Sequence, residues 1–413
     1  MLPIMVVIDC SGRNGFLPSE PCSELRIALE KGEPCLVKEK FRKRILFVIN
    51  SLAGGGAERV FMTLVRHSEV LREQYDILVV LLDNESEEAY PLPRWVDTVR
   101  LDCRGSLVLS VARLCRLAIA SRPSLIFSFL TRANVAAVIA ARMAGNPVVI
   151  SERVNTTAHL AKGRLAVLSR ALVRLVYPRA DRIIAVSQGV GQTLVDDFGI
   201  AQDRVTVINN PIDLQMIRTM GAEPDSLGAT QDDWVTMGRL VLNKNVALAI
   251  RAFAQADVPG RLIILGDGPM RDDLRSLAAA SGVGARVMFA GFIANPYAVI
   301  ARCRAYILPS NAEGFPNAMV EAMTLGIPVI ATDCPSGPAE ILDVEVDSGR
   351  PVIGRGGLLI PLGDCDAMIA AMKLMVDSGL RTRLSVAATE RVKDYSVEKT
   401  ITLFWEAMFD QFS

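Results

Sequence analysis

Two open α/β sheets, each Rossmann-like and facing the other across a cleft, are the fold class this sequence predicts, on three observations. Short β-branched runs alternate with helical stretches from residue 45 onward, which is the rhythm of βαβ units in a parallel sheet. The rhythm stops at a turn-rich stretch, Asn209-Asn210-Pro211-Ile212-Asp213, and restarts after a polar segment over 221–233. The 413 residues suit two domains of ordinary size better than one core.

Taken in order, residues 1–44 do not fit the scheme. They are mixed in charge, hold three cysteines and end basic, and are read as an extension of unknown structure. The first domain, 45–212, carries strand-like runs at 45–50, 76–82, 124–129, 147–150, 182–186 and 204–208. The second, 213–395, carries them at 234–238, 261–266, 286–291, 304–309, 328–332 and 357–362. The last stretch, 396–413, has helical apolar spacing at Val397, Ile401, Phe404, Trp405 and Met408, and is expected to pack back toward the first domain. Open sheets of this kind bind ligands at the carboxyl ends of their strands, so a ligand cleft is expected between the two.

Composition narrows the function classes. The chain is 51% hydrophobic and 22% charged, without signs of disorder. No run of about 18 apolar residues escapes interruption by charge, and Met1 to Asp9 lacks the basic start of a signal peptide, so a cytoplasmic protein is expected. Eight cysteines without a CxxC pair and only two histidines, His67 and His159, argue for reduced thiols and against zinc or a histidine-based triad. Net charge is zero but uneven: residues 1–212 carry 27 Lys and Arg against 21 Asp and Glu, and the remainder 18 against 24. An anionic partner on the basic half, or simply a solvated surface, accounts for that; no nucleic-acid partner is expected.

Several short segments carry chemistry. The first strand runs into Gly54-Gly55-Gly56-Ala57-Glu58-Arg59, where backbone N–H groups and a helix N-terminus could approach an anion, or which could be a tight turn only. Asp83 ends the second strand where a nicotinamide enzyme could hold a ribose, which keeps an oxidoreductase reading open. Gly238-Arg239-Leu240 followed by Lys244 offers a planar fork and a point charge, two ways to grip a diphosphate. Most informative is Glu313-Gly314-Phe315-Pro316-Asn317-Ala318-Met319-Val320-Glu321, directly after a strand. Pro316 suits a helix start and Gly326 its stop, placing Glu313 in the loop and Glu321 inside the helix, both toward one ligand. Asp364-Cys365-Asp366 has the look of a metal-binding DxD but precedes a helical run, so Asp364 reads as an N-cap.

Together and in this order, these segments resemble family 4 of the retaining glycosyltransferases, which have the GT-B fold. The resemblance covers about residues 44–410 and rests on GGGAERV (54–60), SER (151–153), ADRIIAVSQGV (180–190), NNPID (209–213), GRL with KN (238–245), ILGDGP (264–269), GFIANPY (291–297), EGFPNAMVEAM (313–323) and CPSGPAEIL (334–342). It implies an E-x7-E pair in which Glu313 contacts the donor sugar and Glu321 the ribose hydroxyls. Arg239 and Lys244 would bind the diphosphate, Gly56 would lie beside the phosphates and acceptor, and Phe292 to Tyr297 would fall near the base. Catalytic roles are thus expected for Glu313, Arg239 and Lys244, with Gly314, Phe315, Pro316 and Asn317 also at the donor. The family generally needs no divalent metal, so no metal or cofactor is expected and the nucleotide-sugar is a substrate. Many members place a histidine near the reacting sugar, but the comparable stretch here, 128–134, has none, and no general base is assigned.

SER and CPSGPAEIL are similar to bacterial subgroups that extend polyprenyl-diphosphate-linked glycans, often from UDP-linked hexoses or N-acetylhexosamines. GDP-mannose is an alternative donor, and a nucleotide-sugar epimerase or a non-catalytic sugar-nucleotide-binding protein are alternatives of another class. Over 160–177, Leu165, Leu168, Leu172 and Leu175 share one helical face with Arg170 and Arg174 opposite, a pattern expected of peripheral contact with an anionic membrane or of an ordinary surface helix.

Overall fold

The computed structural model describes residues 42–85, 90–154, 166–346 and 349–410. The extension expected over 1–44 therefore lies outside the described residues up to 41. Lys43 and Arg44 belong to the first strand, whose burial rises from its exposed basic start to a fully buried Ile45–Ile49.

The first domain is a seven-stranded, all-parallel sheet in the order β3-β2-β1-β4-β5-β6-β7. Its strands are β1 (Lys43–Ile49), β2 (Tyr75–Leu81), β3 (Asp97–Arg100), β4 (Leu125–Phe129), β5 (Val148–Glu152), β6 (Arg182–Ala185) and β7 (Val205–Val207). The connecting helices include α1 (Gly56–His67), α2 (Leu107–Ser121), α3 (Thr131–Ala144), α4 (Ala166–Val176) and α5 (Gln188–Phe198). Strands β4 and β5 are buried on every residue, as strands covered by helices on both faces must be. Asp83, after β2, pairs with Arg132 and accepts from the Gly105 N–H at 2.9 Å, so its carboxylate ties loops of the first domain together.

The second sheet has the order β10-β9-β8-β11-β12-β14-β13 and is parallel except for the β13–β14 pair at its edge. Its strands are β8 (Trp234–Met237), β9 (Leu262–Leu265), β10 (Val287–Gly291), β11 (Ala305–Leu308), β12 (Val329–Thr332), β13 (Val352–Gly354) and β14 (Gly357–Ile360). Its helices include α6 (Leu214–Gly221), α7 (Val246–Ala256), α8 (Arg271–Ala280), α9 (Pro296–Ile300), α10 (Asn317–Thr324), α11 (Pro338–Leu342), α12 (Cys365–Leu374) and α13 (Ser378–Arg391). Asp364 caps α12, its side chain accepting from the Ala367 N–H at 2.9 Å.

The chain then returns to the first sheet. Helix α14 (Val397–Phe409) buries Ile401, Phe404 and Met408 in the same apolar cluster as Phe47, Phe127 and Phe129. The Phe404 ring stacks on Phe129 at a centroid distance of 6.3 Å and meets Phe127 edge-on.

The leucine stripe expected over 160–177, for a membrane surface or an ordinary surface helix, is divided by the fold. Residues 160–165 lie outside the described residues. Helix α4 seats Val173 and, beside it, Val176 inward, while Leu172 is half-buried. Val167, Leu168 and Leu175 remain outside with Arg170 and Arg174, because the inward face is a quarter-turn away from the leucine stripe. Among the described residues no helix is long and apolar enough to cross a membrane.

Candidate functional site

The carboxyl ends of the two sheets face a common cavity of about 620 Å³. From the first sheet it is lined by Gly54, Gly55, Gly56, Arg59, Arg153 and Asn210, and from the second by Gly238, Arg239, Lys244 and the run Glu313 to Ala318 with Glu321. A second cavity of about 600 Å³ sits at the amino ends of β11 and β12, beside Arg304 and Pro328, away from every motif named above.

Backbone packing sets the Lys244–Glu313 geometry. The turn at 242–245 and the loop at 311–313 are laced together: Asn311 N–H donates to the Asn243 carbonyl at 2.8 Å, and Asn243 Nδ2 to the Ala312 carbonyl at 2.7 Å. The turn closes with Asn245 in the left-handed region, φ 44°. Lys244 Nζ is thereby held 2.6 Å from Glu313 Oε1, and the Ser336 hydroxyl donates to the Glu313 carbonyl from the next loop. Arg239 stands exposed on the cleft wall with no ion pair among the described residues. The second sheet thus brings to the cavity a lysine pinned to a carboxylate and, in Arg239, a cation with no ion pair among the described residues.

Helix α10 opens onto the same space. Pro316 is its N-cap residue, Asn317 its first residue, and Glu321, 3% exposed, lies in its second turn. Gly314 is required here: a Cβ at this position would run into the backbone carbonyl of Arg153, so the two sheets approach with no side chain between them. On the opposite wall α1 begins at Gly56, and a Cβ there would lie 3.1 Å from Asn317 Nδ2.

Sequence reasoning missed three participants. Arg59, three residues after Gly56, crosses the cleft to pair with Glu321, and its Nη1 donates to the Tyr297 hydroxyl at 3.3 Å. Burial works against the Arg59 charge, but Glu321 and Tyr297 outweigh it and hold the guanidinium pKa above its ordinary value. Arg153, from the SER segment, is nearly buried between the Phe129 and Phe404 rings, 5.2 Å from each centroid. Its Nη2 donates to Asn210 at 2.9 Å, and Asn210 Nδ2 donates to Asn317 at 2.7 Å, so β5 is bonded through the interdomain linker to the start of α10. Burial lowers the Arg153 pKa to about 9, against the neighbouring Glu152. All three lay in quoted motifs, but the sequence offered no sign of their partners.

The aromatic pair expected near a base divides. Tyr297, 6% exposed, sits behind Glu321 in α9, and burial followed by the Glu321 charge pushes its hydroxyl up to about 12. Phe292 points outward and is 88% exposed. Neither residue lines the cavity, because α9 starts only at Pro296 and carries the ring of Tyr297 inward beneath α10. Among the described residues there is no cluster of three metal-ligating side chains.

Behind the stretch 128–134, which has no histidine, lies a buried polar network. Leu130 takes the left-handed region, φ 74°, at the end of β4 and turns the chain so that the Thr131 hydroxyl reaches Glu152 at 3.3 Å. Tyr177 donates to the same carboxylate, and Asn134 Nδ2 to the Tyr177 oxygen at 3.3 Å. Burial raises the Glu152 pKa despite these bonds and the backbone N–H groups of Arg153 and Val154.

Residues 54–216 match the domain described as Glycosyltransferase Family 4, and residues 224–391 the domain described as Glycosyl transferases group 1. An N-acetylgalactosamine-N,N'-diacetylbacillosaminyl-diphospho-undecaprenol 4-alpha-N-acetylgalactosaminyltransferase of Campylobacter jejuni is 30% identical over 85% of this chain and 95% of its own. A second Campylobacter jejuni protein, a GalNAc-alpha-(1->4)-GalNAc-alpha-(1->3)-diNAcBac-PP-undecaprenol alpha-1,4-N-acetyl-D-galactosaminyltransferase, is 24% identical over 86% of this chain and 95% of its own. Among solved structures, Anabaena HepE in complex with UDP superposes with a TM-score of 0.73 over 89% of this chain and all of that one, at 23% identity.

Proposed function

The chain belongs to the family 4 glycosyltransferases of GT-B fold, a glycosyltransferase of glycan biosynthesis, and from that premise we propose that it moves a hexose or N-acetylhexosamine from a UDP-linked donor to a polyprenyl-diphosphate-linked glycan, with retention of configuration. The observation that carries this reading is the cleft between the sheets, where Lys244 is held against Glu313 and Arg239 stands free beside the glycine turn at 54–56. A diphosphate has cations on one side and backbone N–H groups on the other, which is what a phosphoryl leaving group needs. The relative's name, which specifies transfer of N-acetylgalactosamine to a diphospho-undecaprenol-linked sugar, supports the classes of sugar and acceptor, and the UDP held by the HepE structure is consistent with a UDP-linked donor.

In the mechanism proposed, Arg239 and Lys244 stabilise charge as the bond from the anomeric carbon to the diphosphate oxygen breaks. The acceptor hydroxyl bonds to that carbon from the same face and passes its proton to an oxygen of the leaving diphosphate. Glu313 fixes the sugar through its hydroxyls, and Glu321 the ribose. No step needs a divalent cation, since the two cationic side chains supply the charge a metal would. By the cost of removing one anion-stabilising donor, Arg239→Ala or Lys244→Ala slows transfer by roughly 10²- to 10³-fold.

A lipid-linked acceptor requires the cleft to reach a membrane surface. Helix α4 supplies an outward face of Val167, Leu168 and Leu175 beside Arg170 and Arg174, suited to peripheral contact with an anionic leaflet. Binding to anionic vesicles that falls with salt and is lost in a Leu168→Asp, Leu175→Asp variant supports this contact; flotation equal to that on neutral vesicles rules it out.

The test of the whole reading is a panel of UDP- and GDP-sugars with a polyprenyl-diphosphate-linked acceptor, followed by product mass and by the anomeric coupling in NMR spectra. One UDP-sugar is expected to give an α-linked product from an α-linked donor. An inverted product, or a GDP-sugar as the substrate, removes the corresponding part of the proposal.

A further inference from the structure

We propose that Arg59 exchanges partners when a nucleotide diphosphate enters the cleft, releasing Glu321 to the ribose and moving its own charge onto the diphosphate. The inference rests on the donor reading above and extends it to a residue of the first sheet's domain. Glu321 is a buried carboxylate on the wall of the donor cavity, and such a group left without a partner is strongly destabilising. Arg59 meets that need from the far side, with the Tyr297 hydroxyl accepting its second N–H.

Three features make Arg59 the movable member of the pair. Its side chain is 36% exposed and long, whereas Glu321 is 3% exposed and fixed within α10. The pair also forms a wall between two spaces: the donor cavity of about 620 Å³ and a cavity of about 320 Å³ lined by Met62, Thr63 and Met216. Both contain Arg59 and Glu321 in their walls, so the guanidinium has room on either side. Finally, Arg59 stands one helical turn from Gly56 and lines the same cavity as Arg239 and Lys244.

The exchange conserves pairing. Ribose hydroxyls donate to the Glu321 oxygens, and the released planar fork donates to phosphate oxygens, so neither charge is left alone. Because Arg59 belongs to α1 and Arg239 to the opposite wall, a diphosphate gripped by both ties the two sheets together on binding.

The test is to titrate UDP by calorimetry and uridine by ligand-observed NMR against the wild type, Arg59→Ala and Arg59→Lys, with GDP and guanosine as the pair if guanine is the base. The exchange predicts that Arg59→Ala weakens diphosphate binding about 10- to 100-fold, the scale of a hydrogen bond to a charged group. Nucleoside binding in that variant stays equal or tightens, and Arg59→Lys recovers part of the diphosphate affinity. Unchanged UDP affinity in Arg59→Ala, or equal weakening of UDP and uridine, overturns the exchange, the second outcome making Arg59 only a prop for Glu321. Should Arg59→Ala lose its native circular dichroism, the same comparison in Arg59→Gln decides. Failure of the wild type to bind any nucleoside diphosphate defeats the donor reading instead.

Discussion

Glu313 and Lys244 hold each other at 2.6 Å in a loop and a turn that are bonded to one another by backbone and amide groups. Replacing Glu313 by Ala removes a side chain that closes no core, so it abolishes transfer while leaving the circular dichroism and melting curve of the wild type; near-normal turnover in that variant refutes the site. Glu152 behaves differently because it is buried beneath the cleft. Burial raises its folded pKa, so between the ordinary glutamate value and the raised one the native state holds a proton that the unfolded chain has lost. Its contribution is therefore fully present at acid pH and declines as pH rises through that window. Glu152→Gln keeps an acceptor for Tyr177 and should flatten this decline in urea unfolding curves collected from acid to neutral pH; an unaltered slope contradicts the assignment. The shared position of Glu313, Arg239 and Lys244 on the cleft was legible because each sits in a short loop next to its strand. The partner of Glu321 was not, since Arg59 lies 262 residues away and only the opposition of two sheets brings them together.

The helices that face the cleft are placed by small residues as much as by apolar ones. Gly189, in the first turn of α5, lets the loop before α11 come so close that an added Cβ would lie 2.5 Å from the Pro335 carbonyl oxygen. At the same contact the Gln188 N–H donates to Glu340 at 2.8 Å, a carboxylate whose pKa burial raises against its N–H partners. Gly189→Ala should therefore push the two sheets apart and lower kcat/KM, with a melting temperature that falls far less than for a core truncation; wild-type kinetics would show that the contact is dispensable. Strand runs and caps were readable from the sequence at this scale, including Asp364, whose side chain bonds the first turn of α12. The inward face of α4 was not. Its leucine stripe predicts one buried side by periodicity alone, while the neighbouring helices select Val173 and Val176 a quarter-turn away.

Across the whole molecule, the chain crosses between the sheets twice, at 209–213 and again at 395–397. The Ile212 N–H donates to the Tyr395 carbonyl at 2.8 Å, so the two crossings are bonded side by side. After the second crossing α14 fills the apolar side of the first sheet, which makes the folding of that sheet depend on the last residues of the chain. Phe404→Ala, at a fully buried ring, is expected to cost roughly 3–5 kcal/mol, visible as a lowered denaturant midpoint. A loss under about 1 kcal/mol, the scale of a surface change, would mean that α14 is not part of that core. The two-sheet architecture was legible from the spacing of β-branched runs and one turn-rich break, because the central strands are short and buried; the edge strands β3 and β13, which bury no residue, gave no such run. The depth of the cleft was not, since it follows from backbone contacts at Gly314 and Gly189 that no local pattern announces.

The central claim is that a nucleoside diphosphate is gripped between the sheets by Arg239 and Lys244. Calorimetric titration of UDP and GDP into the intact protein and into its Lys244→Ala variant tests it most directly. Saturable binding of one nucleotide to the wild type, weakened at least tenfold in the variant, is the predicted result. Binding of neither nucleotide to folded wild-type protein, or equal affinity in the variant, would contradict it.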